Sequence, residues 1–168
     1  MPVELGVPSS TDGAAVHALI AACPPLDTNS MYCNLLQCSH FAGTSAIARD
    51  AEGVLGFVSG YRPPAQPDVL FVWQVAVAPR GRGQRLAGRL IEDILGRPEC
   101  RRVRFIETTI TADNEASWAL FRSIARRGNA ELHHAPHFER DEHFLGSHAT
   151  EHLVRIGPFP TDSGDSNA

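Results

Sequence analysis

The segment at residues 80–85, Arg-Gly-Arg-Gly-Gln-Arg, combines glycines and arginines in a pattern suited to binding phosphate. An apolar, largely β-branched run at residues 69–78 precedes it, which is typical of a strand buried on both faces. Residues 86–95 follow, with apolar side chains at helical spacing. A tight turn between a strand and a helix presents free backbone N–H groups at the positive end of the helix dipole. We therefore predict a phosphate site in this turn.

The cationic residues limit which phosphate ligand the turn can bind. All 15 cationic side chains are arginine, so the chain lacks the lysine of a nucleotide-hydrolysing P-loop and of Schiff-base chemistry. Gly81, Gly83 and Gly88 also miss the spacing of the dinucleotide-binding fingerprint. From the turn alone two interpretations stay open: a phosphate loop flanked by arginines, or a strand–helix turn that binds no ligand.

Composition and charge indicate one domain without nucleic-acid or membrane partners. The 168 residues suffice for one core, and 43% apolar with 20% charged residues is ordinary for a globular chain. A net charge of −4 gives no indication of nucleic-acid binding. No apolar run approaches the roughly 20 residues that span a membrane, and the N-terminus lacks a signal pattern. Four cysteines form no CxxC pair, so we expect reduced thiols and a cytoplasmic location.

Hydrophobic periodicity predicts alternating strands and helices around this turn. Strands are expected at residues 3–7, 44–49, 54–61, 69–78, 102–111 and 152–156. Helices are expected after Asp12, after an Asn29 or Ser30 cap, at residues 86–95, and from Asn114 to near Gly128. The polar residues 158–168 are expected to form a loose tail.

Residues 77–86, Val-Ala-Pro-Arg-Gly-Arg-Gly-Gln-Arg-Leu, resemble the acetyl-CoA pyrophosphate loop of the GNAT acetyltransferase superfamily. That loop follows the pattern Gln/Arg-x-x-Gly-x-Gly/Ala, and Arg85 stands where glycine or alanine is usual. The resemblance implies an α/β (α+β) GNAT fold over residues 1–157. Such a fold has a mixed central sheet of six to seven strands, splayed around acetyl-CoA and flanked by about four helices.

The same resemblance implies which residues hold acetyl-CoA, the expected co-substrate. The pyrophosphate would lie on the turn and the helix start, formed by Arg80, Gly81, Arg82, Gly83, Gln84, Arg85, Leu86 and Ala87. The pantetheine arm would run beside Val75, Ala76 and Val77, where the Val75 N–H could act as oxyanion donor. Asn114 would contact the pantetheine, or serve only as a helix N-cap. Phe121 occupies the place of a tyrosine acid found in many members, which leaves Tyr32 and Tyr61 as candidates.

A second resemblance covers three segments, at residues 24–32, 35–45 and 71–77. They are similar to the L-2,4-diaminobutyrate acetyltransferases of ectoine synthesis, and they include rare types such as tryptophan, histidine and an Asn-Ser pair. This resemblance implies the reaction. Acetyl-CoA and diaminobutyrate would give the N4-acetyl product and CoA, the step before cyclisation to ectoine.

Diaminobutyrate carries two ammonium groups, so its site calls for acidic side chains. We expect Asp27 and Glu151 to bind those groups and one of them to help deprotonate the attacking amine. Trp73 would form a wall of the pocket through its ring face. Tyr32 would bind substrate or protonate the leaving thiolate, and His148 is a further candidate.

Each of these residues also has a purely structural interpretation. Asp27 could cap a turn, Glu151 could be a solvated charge at a strand edge, and Trp73 could belong to the core. Tyr32 could pack on Leu36. His40 could join the pocket wall or end its helix.

Six of the eight histidines lie in the C-terminal third of the chain. They show no known metal-ligand spacing, so we expect no metal, and a substrate loop or a subunit contact would explain them. We expect a homodimer. Two other functions stay open: acetylation of another small amine or a protein N-terminus, and a catalytically silent acyl-CoA-binding regulator.

Overall fold

A computed structural model describes residues 2–160, which form seven strands and four helices. The strands are β1 Glu4–Gly6, β2 Ala46–Asp50, β3 Gly53–Tyr61, β4 Val69–Val77, β5 Phe105–Thr111, β6 Leu132–Phe138 and β7 Glu151–Ile156. The helices are α1 Gly13–Ala21, α2 Met31–Ser39, α3 Leu86–Leu95 and α4 Glu115–Arg127. Most of the predicted tail, residues 161–168, lies outside the described residues.

The seven strands form one mixed sheet in the order β1-β2-β3-β4-β5-β7-β6. The pairs β1–β2, β2–β3, β5–β7 and β6–β7 are antiparallel, whereas β4 and β5 are parallel. Registered pairing of β4 with β5 runs from Val69–Phe105 to Phe71–Glu107, although β4 continues to Val77 and β5 to Thr111. Among the described residues, the contacts form two compact units, residues 2–62 with 72–100, and residues 63–71 with 101–160.

In the first unit, α3 presents an apolar face to β2 and β3. Leu86, Leu90, Ile91 and Ile94 are buried on that face. A Cβ added at Gly56 of β3 would lie 3.1 Å from a Leu86 methyl group and 3.3 Å from one of Leu90, so glycine lets the helix approach the strand closely. Helices α1 and α2 pack against each other in the same unit.

In the second unit, α4 buries Trp118, Phe121 and Ala125. Val154 and Ile156 of β7 are fully buried, and they are registered against Thr108 and Ile106 of β5. Phe121, whose position suggested a vacant acid site, is a core residue here with 2% of its surface exposed.

One strand escaped prediction. Strand β6 contains three histidines and Pro136, and proline removes a backbone donor, which disfavours a strand assignment. The structure places β6 at the sheet edge, where a proline is tolerated because the outer side of the strand has no neighbour in the sheet. Strand β5 also begins at Phe105 rather than at residue 102, because a turn follows the short helix Pro98–Cys100.

Candidate active site

The turn between β4 and α3 leaves a row of backbone donors available. The short 3-10 helix Pro79–Gly81 ends the strand, Gly83 has φ of 79°, and Arg85 has φ of 53° and ψ of 29° immediately before α3. Arg85 makes no side-chain cap. The first α-helical hydrogen bond runs from the Arg89 N–H to the Arg85 carbonyl at 3.0 Å, so the N–H groups at the start of α3 precede the helical hydrogen-bond ladder. Such a row at a helix N-terminus suits a phosphate group.

The two glycines of the turn serve different purposes. Gly81 is buried, and a Cβ there would lie 2.9 Å from Leu55, so a side chain is excluded by packing. A Cβ at Gly83 would face open space, but the positive φ favours glycine. The open side of the turn at Gly83 therefore leaves its backbone accessible to a ligand.

The three arginines of the turn differ in their partners. The Arg80 guanidinium contacts Asp50 at 2.9 Å and Glu52 at 3.3 Å in the β2–β3 hairpin turn. It holds the pKa of the Asp50 carboxyl below its ordinary value through a side-chain hydrogen bond. Arg85 extends to Glu92 at 3.1 Å. Arg82 is exposed and forms no ion pair within the described chain, which leaves its charge available to an anion.

Asn114 caps α4 at the end of β5. Its side-chain oxygen accepts a hydrogen bond from the Ser117 N–H at 3.1 Å, and the Trp118 indole N–H donates to the Thr111 carbonyl at 3.0 Å. The N-cap interpretation of Asn114 is therefore observed, and its contact with pantetheine stays a prediction.

Strand β4 alternates between buried and accessible side chains over its second half. Val72, Gln74 and Ala76 are buried, whereas Trp73 is 41% exposed and Val75 and Val77 are partly exposed. The Trp73 ring lies edge-on to Phe41 at 6.1 Å and to Tyr61 at 5.9 Å between ring centroids. Trp73 is thus a half-exposed aromatic residue and not a core residue. Burial of its neighbour Tyr61 raises the pKa of the Tyr61 hydroxyl.

The predicted acceptor residues fall into two groups. Asp27, in the loop at residues 23–30, and Tyr32, in the first turn of α2, are exposed and belong to the first unit with Trp73. Tyr32 is 69% exposed, so packing on Leu36 does not bury it. His40 follows α2 as an exposed residue at its C-cap.

His148 and Glu151 lie together in the second unit. The imidazole Nε2 is 4.0 Å from a Glu151 carboxylate oxygen, and Nδ1 donates to the Ala149 carbonyl at 2.7 Å. Because that carbonyl only accepts, Nδ1 carries the proton and Nε2 faces the carboxylate. The Glu151 side chain is 19% exposed at the start of β7. A carboxylate beside an imidazole in this position can accept a proton or hold a cation.

Sequence reasoning missed two polar residues inside strands. Glu107 of β5 is buried and forms an ion pair with Arg155 of β7. Gln74 of β4 is buried and donates to the backbone carbonyl of Asp27 at 3.1 Å. The available signal was the single polar residue in the apolar run of β4 and the single charged residue in β5, but the sequence does not show which distant residue each contacts.

The side chains and helices of the described residues also bear on metal binding and on membrane insertion. Within residues 2–160, no three histidine, cysteine, aspartate or glutamate side chains gather as metal ligands would. Every helix in that range falls short of the length and apolar character needed to cross a bilayer.

The mixed sheet and the β4–α3 turn indicate the class of protein: an α/β protein with a turn suited to binding a phosphorylated co-substrate. A family model described as the acetyltransferase (GNAT) family matches residues 14–125, and the chain belongs to this family. The α/β GNAT fold expected from the sequence is thereby confirmed.

Within this family, the chain is similar to several proteins named for a single reaction. The chain is 52% identical over 157 residues to the L-2,4-diaminobutyric acid acetyltransferase of Methylotuvimicrobium alcaliphilum, covering 94% of this chain and 91% of that protein. It is 48% identical over 162 residues to the Halomonas elongata protein of the same name, covering 96% and 84%. Among solved structures, the diaminobutyrate acetyltransferase of Paenibacillus lautus, in complex with L-2,4-diaminobutyric acid and coenzyme A, superimposes with a TM-score of 0.90 at 36% identity, covering 97% and 99%.

Proposed function

We propose that this chain transfers the acetyl group of acetyl-CoA to the side-chain (N4) amine of L-2,4-diaminobutyrate. The products are N4-acetyl-L-2,4-diaminobutyrate and CoA, in ectoine biosynthesis. The observation that carries the proposal is the 36% identity, over 97% of the chain, to a structure holding both diaminobutyrate and CoA. Identities of 45–52% to several proteins named for the same reaction support it.

In the proposed reaction the β4–α3 turn holds the co-substrate. The N–H groups at the start of α3 and the exposed Arg82 face the pyrophosphate. Binding here fixes the thioester alongside β4, where the Val75 N–H stabilises the oxygen that gains charge as the amine attacks.

The acceptor carries two ammonium groups, and each is expected to bind a carboxylate. Asp27 holds one ammonium group, and Glu151 with His148 receives the proton that the attacking amine must lose before it becomes a nucleophile. The exposed ring of Trp73, supported edge-on by Phe41 and Tyr61, offers its face to a cation.

The leaving thiolate needs a proton, and the two tyrosines differ in suitability. Burial raises the pKa of Tyr61, which makes its hydroxyl a weaker proton donor. Tyr32 is exposed at the start of α2. We therefore assign thiolate protonation to Tyr32.

Release of free CoA with a panel of amines tests the proposal. We expect turnover with diaminobutyrate and, by mass spectrometry, an acetyl group on the side-chain nitrogen. Turnover only with other amines or with a peptide N-terminus would place the chain elsewhere among the GNAT enzymes. Acetyl-CoA binding without turnover of any amine would indicate a regulator, and acetylation of the α-nitrogen would overturn the proposed substrate orientation.

We further propose a homodimer that works in the cytoplasm. Six of the seven β6 residues are exposed, and β6 ends the sheet, so its outer edge suits pairing with a second copy. Phe138 at the end of β6 and Leu145 in the following loop add exposed apolar surface. Four unpaired cysteines fit a reducing compartment.

A further inference from the structure

Gln74 interrupts the buried row of β4 with an amide. The neighbours that point the same way along the strand are Leu70, Val72 and Ala76, each at most 1% exposed. Gln74 itself is 8% exposed. An amide at such a place is costly unless hydrogen bonds satisfy it, so its partners show what it does.

Those partners belong to the loop at residues 23–30, which carries Asp27. The Gln74 Nε2 donates to the Asp27 carbonyl at 3.1 Å, and the Asn29 amide approaches the Gln74 Oε1 at 3.5 Å. At the start of the loop, the Cys23 Sγ lies 3.5 Å from the Val77 carbonyl of the same strand. The side chain of Gln74 therefore joins the middle of the loop to β4.

We propose that Gln74 is a positioning residue that sets the place of Asp27 relative to β4. This inference rests on the proposed function, in which Asp27 holds an ammonium group and β4 carries the acetyl thioester. Gln74 lies directly between Trp73 and Val75 in the chain. If the loop at residues 23–30 moves relative to Gln74, Asp27 therefore also moves relative to the strand beside which the carbonyl of the acetyl thioester would lie. Small displacements of this kind lower productive binding of a short substrate strongly.

The test uses two substitutions that separate donor loss from volume loss. Gln74→Met keeps a similar length and removes both polar atoms, and Gln74→Glu replaces the donor by a carboxylate oxygen that faces the Asp27 carbonyl. We expect each to raise KM for diaminobutyrate at least about tenfold at pH 8 and to leave KM for acetyl-CoA within about twofold. Gln66→Met, at an exposed position in the β3–β4 loop, is the matched control and should leave both constants unchanged.

A pH series of the Glu variant distinguishes positioning from general damage. A carboxyl buried here titrates at raised pH, and its protonated form donates again to the Asp27 carbonyl. The ratio of variant to wild-type KM should therefore fall towards one as the pH is lowered. Asn29→Ala removes the longer contact alone and should raise the same KM by a smaller factor.

A measurement that does not depend on catalysis tests the positioning role of Gln74 separately from the proposed function. Amide hydrogen exchange in residues 26–30 should be faster in Gln74→Met than in wild type and in Gln66→Met, while exchange in α3 stays the same. Equal exchange in that loop, or an unchanged amine KM, or equal rises in both KM values, would overturn the positioning role. Wild-type protein that fails to acetylate diaminobutyrate while its loop responds to Gln74→Met would count against the proposed function and leave the loop attachment standing.

Discussion

Asp27 has an exposed side chain, while its backbone is fixed to Gln74. Asp27→Asn keeps the shape and removes the charge that we assign to an ammonium group. A charge-assisted hydrogen bond contributes about 1.5–3 kcal/mol, so KM for diaminobutyrate should rise roughly 10- to 100-fold. Acetyl-CoA affinity, measured by calorimetry, should stay within about twofold. Equal losses for both substrates would contradict the assigned role.

Gly83 is the residue at which the pyrophosphate loop can be tested by a single substitution. Its φ of 79° is unfavourable for a β-branched side chain, and an added side chain would project into open space beside the turn, where we propose that the pyrophosphate binds. Gly83→Val should therefore weaken CoA binding by at least about tenfold.

Arg85→Gly provides the matched comparison within the same turn. It removes a side chain from another left-handed residue, keeps the backbone donors, and loses an exposed contact with Glu92. CoA affinity in this variant should stay within about threefold of wild type. Titration calorimetry measures the CoA affinity of both variants. An unaltered CoA affinity in Gly83→Val would contradict the assignment of the turn as a pyrophosphate loop.

The candidate site was predictable where its residues are contiguous. The glycines and arginines of residues 80–85 form a local pattern, and a strand followed by an amphipathic helix positions them. The contact of Gln74 with Asp27 joins residues 47 apart in the chain, and the ion pair of Glu107 with Arg155 joins residues 48 apart. Periodicity cannot reveal such pairs, because they depend on how the chain folds back on itself. The residues assigned to diaminobutyrate stay predictions.

The helices and strands were predictable where the apolar residues of the sequence follow a regular pattern. Helix α3 has apolar side chains at helical spacing and β4 is a nearly continuous apolar run, and their predicted bounds agree with the structure to within one residue. Strand β6 has no apolar alternation, since the exposed residues on both of its faces need no apolar side chains. Its existence follows from hydrogen bonding to β7 rather than from burial.

Arg97 joins the end of α3 to the short helix Ala42–Thr44. One guanidinium nitrogen donates to the carbonyls of Ala42, Gly43 and Ser45 at 3.1, 3.2 and 2.6 Å, and another contacts Asp93 at 2.8 Å. The side chain is 11% exposed, so its removal leaves poorly solvated carbonyl groups. Arg97→Ala should lower the free energy of unfolding by about 2–4 kcal/mol.

Urea denaturation measures this change, and two further variants define its origin. Arg97→Lys should recover part of the loss, because an ammonium group cannot reach all four acceptors at once. Arg101→Ala, at an exposed position nearby in the chain, should change stability by less than about 0.5 kcal/mol. A urea-denaturation midpoint for Arg97→Ala equal to that of Arg101→Ala would show that the Arg97 contacts do not stabilise the fold.

The Asp12–Arg49 ion pair gives the fold a specific acid response. Asp12, just before α1, contacts Arg49 of β2 at 2.6 Å. Partial burial opposes its ionisation, but the hydrogen bond from Arg49 and those from Ser9 outweigh it, so the Asp12 pKa lies below its usual 3.8. A lowered pKa stabilises the fold above the unfolded-state value, and this contribution is lost as the pH falls through the folded-state value.

The acid response can be separated from that of other carboxylates by substitution. Asp12→Asn should cost about 1 kcal/mol at neutral pH, measured by urea denaturation. The gap between wild type and variant should narrow as the pH falls below 3.8, where Asp12 of the unfolded chain takes up a proton, and should close below the lower pKa of the folded state. A gap that stays constant from pH 7 to pH 3 would exclude a charge-dependent role for this pair.

The whole chain divides into two contact units, yet β4 contributes residues to both without an intervening linker. Residues 69–71 of β4 belong to the unit of β5, β6 and β7, and residues 72–77 belong to the unit of α1, α2 and α3. A single domain over residues 1–157 stays a prediction, which the shared strand favours because a domain boundary normally falls in an exposed linker.

Dimerisation through β6 is the prediction that concerns the whole molecule. The sheet ends at β6, and an open strand edge with exposed apolar residues beside it favours pairing with an identical strand about a two-fold axis. Light scattering coupled to size exclusion should give twice the 18.2 kDa of one chain. Phe138→Asp with Leu145→Asp should shift the mass to that of one chain, because Phe138 is 41% exposed at the end of β6 and Leu145 is 86% exposed in the loop that follows. Val7→Asp alters another exposed apolar residue, in the first unit, and should leave the dimer intact. A dimer that persists in the double variant but dissociates in Val7→Asp would place the interface at the opposite end of the strand order.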